Sequence, residues 1–577
     1  MKVDNAGTPG VNNVVLDYTY DAVGNLKTVT IDGIQSGLEE FTYDDLNRVT
    51  RITQSGNGVA DKRVDMTYDA ASQLKGINRY ADLAGTQLVA DSSYDYDVAS
   101  RLKELKHFKG TDVLATYGFD YDAGNRITSF TSPDGTSTYS YDLTNQLTGT
   151  DHSYQDDENY SYDANGNRTN DGYDTGTDNR LLTDGKYNYS YDDEGNRTQR
   201  VEIATGEVTE YSWDYRNRLT QVVVKDVLGN VIKTAGYTYD MFDRRIAKEV
   251  DPDGDGVATA EIERFVYDGE HIALTFDGDG NLTHRYLHGP QIDQVLASEN
   301  ASGEVLWALT DNQGTVRDVV DNSGTVVNHI TYDSFGKITS ETNPNVDFRF
   351  GYTGREFDEE TGQYYYRARY YDPATGQFIN EDPTGFAGGD ANLYRYVVNS
   401  PSNYVDPSGN IAFAIPAGGA LAGLGSGGAL AGLGAVAAGV AAVATAPVSL
   451  PVAAGAILGA AVVGGAIGYL NQNQQRSIDI TPKPDFDPNN ARKIPLPDFK
   501  EERENTRVFP GGFRLGVEFD PNNINIHDGV PLKLPNLETF PLFDECLGFI
   551  PFLKLLTEVI LTRIYKVEFP LDTKDTI

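Results

Sequence analysis

The sequence predicts a mainly β fold made of repeated hairpins, and three observations carry that prediction. Tyr-Asp recurs at Tyr20-Asp21, Tyr43-Asp44, Tyr68-Asp69, Tyr96-Asp97, Tyr121-Asp122, Tyr141-Asp142, Tyr162-Asp163, Tyr191-Asp192, Tyr239-Asp240 and Tyr267-Asp268. Trp213-Asp214 takes one place in the series, and the separations run from 20 to 29 residues. Aromatics alternate just ahead of the Asp, as in Tyr94/Tyr96, Phe119/Tyr121, Tyr139/Tyr141 and Tyr237/Tyr239. Behind it comes a Gly- and Asn-rich tetrapeptide, as in Ala123-Gly124-Asn125-Arg126, Asn165-Gly166-Asn167-Arg168 or Glu194-Gly195-Asn196-Arg197. A period in this range marks an architecture whose units bury their faces only against neighbours.

Each part of the unit has a physical reason. Period-two spacing puts the rings on one face of a strand, where cross-strand aromatic pairs stabilise a sheet. Gly and Asn supply the positive-φ positions of a tight hairpin. A β-branched strand such as Thr28-Val29-Thr30-Ile31 then resumes. The Asp is expected to accept hydrogen bonds from turn amides and the Arg to pair with a neighbouring carboxylate. Both are structural roles, and the units would lie side by side in one long, winding antiparallel sheet.

Composition divides the chain. The 577 residues carry a formal charge of −38 and 36 Tyr, against 2 Trp, 3 Met and 1 Cys. Residues 471–577 hold a net −4 and residues 411–470 no charge, so −34 falls in 1–410, together with 34 of the tyrosines. Such a field repels phosphate backbones, which argues against a nucleic-acid partner for the repeat region. The single Cys546 excludes an intramolecular disulfide framework and any CxxC zinc site. Met1-Lys2-Val3-Asp4 leads into polar sequence, so no cleaved signal peptide is read, and the early onset of the repeat points to the downstream part of a longer chain.

The most specific stretch is 350–409. It reads Phe350-Gly351-Tyr352-Thr353-Gly354-Arg355-Glu356, then Gly362-Gln363-Tyr364-Tyr365-Tyr366-Arg367-Ala368-Arg369-Tyr370-Tyr371-Asp372-Pro373. Gly376-Gln377-Phe378, Glu381-Asp382-Pro383, Asn392-Leu393-Tyr394-Arg395-Tyr396 and Tyr404-Val405-Asp406-Pro407-Ser408-Gly409 follow. With Arg285-Tyr286-Leu287-His288-Gly289-Pro290 and Asp311-Asn312-Gln313-Gly314-Thr315-Val316 upstream, this series resembles the YD-repeat (Rhs) family. That family includes bacterial Rhs polymorphic toxins, the C component of insecticidal toxin complexes and the teneurin shell. The resemblance spans roughly residues 10–410. It implies spiralling antiparallel hairpins that form a whole or partial β-shell over 1–345, an Rhs-associated core over 346–410, and an enclosed effector beyond.

The resemblance also implies chemistry. In toxin-complex C components the core is an intramolecular aspartyl protease that cuts just after a final Asp-Pro-x-Gly-Leu. Carried over by motif, the residues are Asp382 and Asp406, with Arg369 nearby, and the cut falls after Asn410. Two carboxylates close enough to share a proton would supply a base for water and an acid for the carbonyl. Asn410 stands where the family has Leu, which mismatches the pocket for that side chain. The alternative is that both Asp-Pro steps simply set turns, with proline fixing the next φ.

Other signals are less specific. Asp251-Pro252-Asp253-Gly254-Asp255-Gly256 opens like a calcium loop, with Asp251, Asp253 and Asp255 as oxygen ligands, but Ile262 occupies the twelfth position where a Glu is expected. An acidic hairpin tip explains the same residues. His284 and His288 have helical metal spacing but lie in a strand-like segment without a third ligand. Residues 411–470 are nearly all Ala, Gly, Val, Leu and Ile, divided by Pro447 and Pro451. They read as an apolar helical hairpin able to span a membrane, with small residues at i, i+4 letting helices approach closely. A Gly/Ala-rich linker is the other reading. Residues 471–577 form a small mixed segment in the effector position. They contain a Pro-rich start, an amphipathic run over 549–565, and no catalytic constellation around His527 or Cys546.

The expected function is an Rhs shell that encapsulates or presents a C-terminal effector and cuts itself near residue 410. The expected setting is a secreted or cell-envelope protein of bacterial type. Its partners would be its own C-terminal segment as cargo, an immunity protein, an N-terminal shell or delivery partner, and a target membrane through 411–470. The alternative is a cell-surface YD-repeat protein for adhesion or carbohydrate contact, without enzymatic activity.

Overall fold

The computed structural model describes residues 2–4, 13–33, 36–254 and 256–414, and, by their backbone, four short strands between 506 and 532. The chain divides into two compact units, Met1–Arg476 and Ser477–Ile577. In the first, strands pair with their sequence neighbours throughout: one 14-stranded sheet runs from Lys2–Asp4 to Glu158–Asn159, and a 16-stranded sheet from Tyr173–Thr175 to Ile338–Glu341. The pairings are antiparallel, so the hairpin series expected from the Tyr-Asp period is present, divided between two sheets.

The turn that generates this order is the same from unit to unit. In Asp97–Arg101, Asp97 Oδ1 accepts the amides of Ala99 and Arg101 at 2.8 and 3.0 Å, while Oδ2 accepts Arg101 Nε at 2.7 Å. The fourth turn residue takes positive φ, whether Gly24, Asn47, Ser72, Ser100, Asn125 or Asp243. The ladder slips by one residue at the preceding Tyr, as at Asp95/Tyr96. This is a hairpin loop closed by a left-handed residue and a bulge. The Arg in the fifth position of such a turn therefore pairs with the Asp of its own turn, and Arg218 also reaches Asp243 of the next turn at 2.8 Å. The same i, i+4 pair recurs at Asp44/Arg48, Asp122/Arg126, Asp214/Arg218 and Asp240/Arg244.

Each turn is also locked to the next. Arg101 Nη1 donates to the Asp122 carbonyl at 3.3 Å, and its guanidinium lies 4.7 Å over the Tyr121 ring. Tyr121 Oη donates back to the Leu102 carbonyl at 2.7 Å. Tyr43, Tyr68, Tyr96 and Tyr239 make the equivalent bond to Leu26, Val49, Leu74 and Leu219. Trp213 does so with its indole N–H, to the Arg197 carbonyl at 2.8 Å, which explains why Trp can replace Tyr there. A ring that brings a hydrogen-bond donor satisfies both packing and the strand end.

The two sheets share a core. Ile52, Val64, Met66 and Ile77 of the first pack with Leu287, Leu296, Trp307 and Leu309 of the second. Lys62 and Glu299 form a buried ion pair inside this contact. Asp134, at a turn of the first sheet, meets His329 of the second at 2.8 Å. Strands such as Val295–Asn300 and Val316–Asp321 are buried on both faces, and their buried charges Glu299 and Arg317 are paired across the sheets with Lys62 and Asp134.

The core region packs across both sheets. Its strands Glu356–Asp358, Gln363–Tyr366, Arg369–Asp372 and Gln377–Phe378 form a four-stranded antiparallel sheet. Tyr365, Tyr370 and Ile379 pack on Tyr211, Leu219, Val222 and Tyr237 of the second sheet. Asn403 Oδ1 accepts the Ile127 amide of the first sheet at 2.8 Å. Thr506–Val508, Arg514–Asp520, Asn523–Ile526 and Val530–Leu532 make a separate four-stranded antiparallel sheet in the second unit. The expected apolar hairpin lies beyond Ala414, outside the described residues, as does the amphipathic run at 549–565. Among the described residues no helix is long and apolar enough to cross a membrane.

Candidate active site

The three residues carried over by motif meet at the end of the core. Arg369 opens the third core strand, buried, with its guanidinium 3.6 Å over the Phe378 ring. Its Nη2 lies 3.3 Å from Asp382 Oδ2 and 3.4 Å from Asp406 Oδ2. Nη1 donates to the Leu393 carbonyl at 2.9 Å, and Nε donates to the Gly409 carbonyl. What the two carboxylates share in this structure is one guanidinium nitrogen.

Asp382 is oriented by Thr384, whose amide and hydroxyl donate to Oδ1 at 2.7 and 2.6 Å. Asp406 is only 3% exposed. Its Oδ1 accepts the amides of Asn410 and Ile411, both at 3.1 Å. Burial pushes the Asp406 carboxyl above the usual carboxylate range, against the opposing pull of Arg369 and the two amides, and Asp382 adds to the rise. The peptide expected to break, Asn410–Ile411, therefore has its nitrogen on Asp406. Its carbonyl oxygen and Asp382 Oδ2 both border the space where a Cβ on Gly388 would sit, at 2.9 and 2.7 Å.

The loop carrying this peptide is fixed at both ends. Tyr404–Val405 pairs with Phe413–Ala414 in an antiparallel ladder, so residues 406–412 form the connection of a hairpin. Gly409 has φ +71°, and a Cβ there would meet the Tyr366 carbonyl oxygen at 2.3 Å. Only glycine allows so close an approach at that conformation. Behind the loop, Arg367 donates to the Pro407 carbonyl and pairs with Asp293 at 2.6 Å. Burial alone would raise the Asp293 carboxyl, but Arg355 and Arg367 together hold it down at about 2.

The motif placed Asp382, Asp406 and Arg369 correctly near one another. It did not indicate Gly388, Leu393 or Phe378, whose only sequence signals are the adjacent glycines 388 and 389 and membership of the 350–409 series. The calcium-loop residues are used differently. Asp251 Oδ1 accepts the amides of Asp253 and Gly254 at 3.3 and 2.9 Å, and Asp253 Oδ2 accepts that of Ala258 at 2.9 Å. Asp255 lies outside the described residues. Among the described residues no three His, Cys, Asp or Glu side chains are grouped to hold a metal. His284 and His288 stand on one strand, and His288 Nε2 bonds the Ile272 carbonyl at 2.9 Å.

Two sheets of repeated hairpins with this core packed across both are the arrangement expected of a YD-type repeat. Residues 133–401 match the teneurin YD-shell family model. Over that stretch the chain is similar to YD-repeat shell proteins. It is 31% identical over 293 residues to the tRNA nuclease WapA of Bacillus subtilis (strain 168), covering 49% of this chain and 10% of that protein. It is also 31% identical over 281 residues to the double-stranded DNA deaminase toxin A of Burkholderia cenocepacia, covering 44% and 19%. The toxin protein Tse5 of Pseudomonas aeruginosa matches at 31% over 242 residues, covering 36% and 18%. The chain thus spans a tenth to a fifth of the length of these relatives. The TcdB2-TccC3-Cdc42 crystal structure shares the fold at TM-score 0.51 and 19% identity, over 69% of this chain and 22% of that one.

Proposed function

We propose that this chain is the shell portion of a polymorphic toxin, presenting the segment beyond residue 410 as an effector, and that the core severs the chain after Asn410. The observation that carries the reading is that Arg369 bridges Asp382 and Asp406 while donating to the Gly409 carbonyl, which brings both carboxylates to the loop that holds the Asn410–Ile411 peptide. Its relatives bear the names of a nuclease, a deaminase and a toxin, so the shared portion accompanies different chemistries and names none for residues 471–577. The protein would act outside the producing cell or at the envelope, with the neutralising partner that a self-made toxin requires.

Denaturing electrophoresis and intact mass of the purified full chain test the cut. Two fragments meeting at Asn410 are expected, and Asp382→Asn or Asp406→Asn should each leave one full-length species. A single species from the wild-type chain under all conditions would refute self-cleavage. Growth arrest on expressing residues 411–577 in bacteria, relieved by a co-expressed downstream gene product, tests the effector assignment separately.

A further inference from the structure

The residue before the expected cut is chemically unusual for a protease subsite. Asn410 carries its own nucleophile, one that closes a five-membered ring on its own main-chain carbonyl. Its side chain is folded back on the loop: Nδ2 donates to the Ser408 carbonyl at 3.3 Å, and Oδ1 is buried with no hydrogen-bond partner. The half-buried amide is thus fixed against its own loop, with its oxygen withdrawn from solvent.

The rest of the site suits an internal attack better than an attack by water. A carboxylate pair that activates water works by sharing a proton. Here the Arg369 guanidinium holds both carboxylates, at 3.3 and 3.4 Å. An internal nucleophile removes the need for a water between them. The backbone is already held for such a step. Asp406 Oδ1 sits 3.1 Å from the nitrogen that would leave, and Arg369 fixes the preceding carbonyl. Holding reacting groups in this way converts a slow encounter into a fast unimolecular step.

We propose that Asn410 is the nucleophile of its own cleavage, releasing Ile411 as a new amino terminus and leaving residue 410 as a C-terminal aminosuccinimide. The Nδ2 lone pair forms a bond to the Asn410 carbonyl carbon, and the bond from that carbon to the Ile411 nitrogen breaks. One of the two Nδ2 protons ends on the Ile411 nitrogen, relayed through the Asp406 carboxyl group. No water is consumed, and atoms balance as amide plus peptide giving imide plus amine. The inference rests on the cleavage reading above and specifies its chemistry. It also accounts for Asn in place of Leu: the substitution changes the route of the cut instead of abolishing it.

The test compares the full-length wild-type chain with Asn410→Leu and Asn410→Gln, followed by rapid intact-mass analysis at mildly acidic pH. The wild-type N-terminal fragment should be one water lighter than a hydrolytic product and should be trapped by hydroxylamine as a hydroxamate. Both variants should cut more slowly by about 100-fold or more while melting at the wild-type temperature. If Asn410→Leu cuts as fast as wild type and yields a free Leu carboxylate, the internal nucleophile is wrong and self-cleavage by water stands. If the wild-type chain never cuts, the cleavage reading itself fails.

Discussion

The repeat turns and the core use the same three residue types, Tyr, Arg and Asp, in opposite ways. At a turn, Arg101 pairs with Asp97 four residues away, and both side chains remain about one-fifth exposed. In the core, Arg245 is fully buried between Glu356 and Asp358, more than 100 residues distant. Arg197 on Asp372 and Arg355 on Asp293 follow the same plan. Local pairs make each hairpin self-sufficient and interchangeable, whereas long-range buried pairs admit one arrangement only. The turns are therefore redundant, and the fold becomes unique at the long-range buried pairs, in the core and between the two sheets.

Substitutions can break that contrast. The largest effect is expected for Arg245→Met, which leaves two buried carboxylates without the cation they share. Lys248 still reaches Asp358 at 3.3 Å and Arg355 still reaches Glu356 at 3.7 Å, so the loss should fall at the lower end of what breaking a buried pair costs, about 3 kcal/mol, read as a lower urea midpoint,. A loss under 1 kcal/mol would mean that the buried pair is replaceable like a surface one. The pH response of His329 falls in between, because it joins the two sheets through Asp134 and Asp318 at 2.8 and 2.6 Å. Its hydrogen bonds to those two carboxylates raise it to about 9. The contribution of a raised histidine is fully present below its unfolded value of about 6.5 and is lost as pH rises through the folded value. Stability should therefore fall between about pH 7 and 9, and His329→Gln should flatten that slope in urea midpoints measured across the range. The smallest effect is expected for Arg101→Ala at a single turn. With its ion pair and ring contact partly solvated, it should cost about 1 kcal/mol and leave the melting transition cooperative.

The same contrast decides what the sequence revealed. The turns were legible because their partners lie within five residues: Asp97, Ser100 and Arg101 announce the hairpin in the order in which they fold. The division into two sheets was not legible, since Lys62–Glu299 and Asp134–His329 join residues some 200 apart with no local sign. The Arg of such a turn was expected to pair with a neighbouring carboxylate, and the one it finds belongs to its own loop. At the core, motif likeness brought Asp382, Asp406 and Arg369 together. The Leu393 carbonyl and the space beside Gly388 carry no side-chain signature and could not be read.

The ladder between Tyr404–Val405 and Phe413–Ala414 has a consequence for any nick in the loop it closes. The new chain ends would still be clipped together by main-chain hydrogen bonds and by the buried Phe413 ring. Breaking the covalent link and letting go are then separate events. A severed molecule should run as one particle in native sizing and as two bands only in detergent, and peeling off two residue pairs becomes the latch that departure must undo.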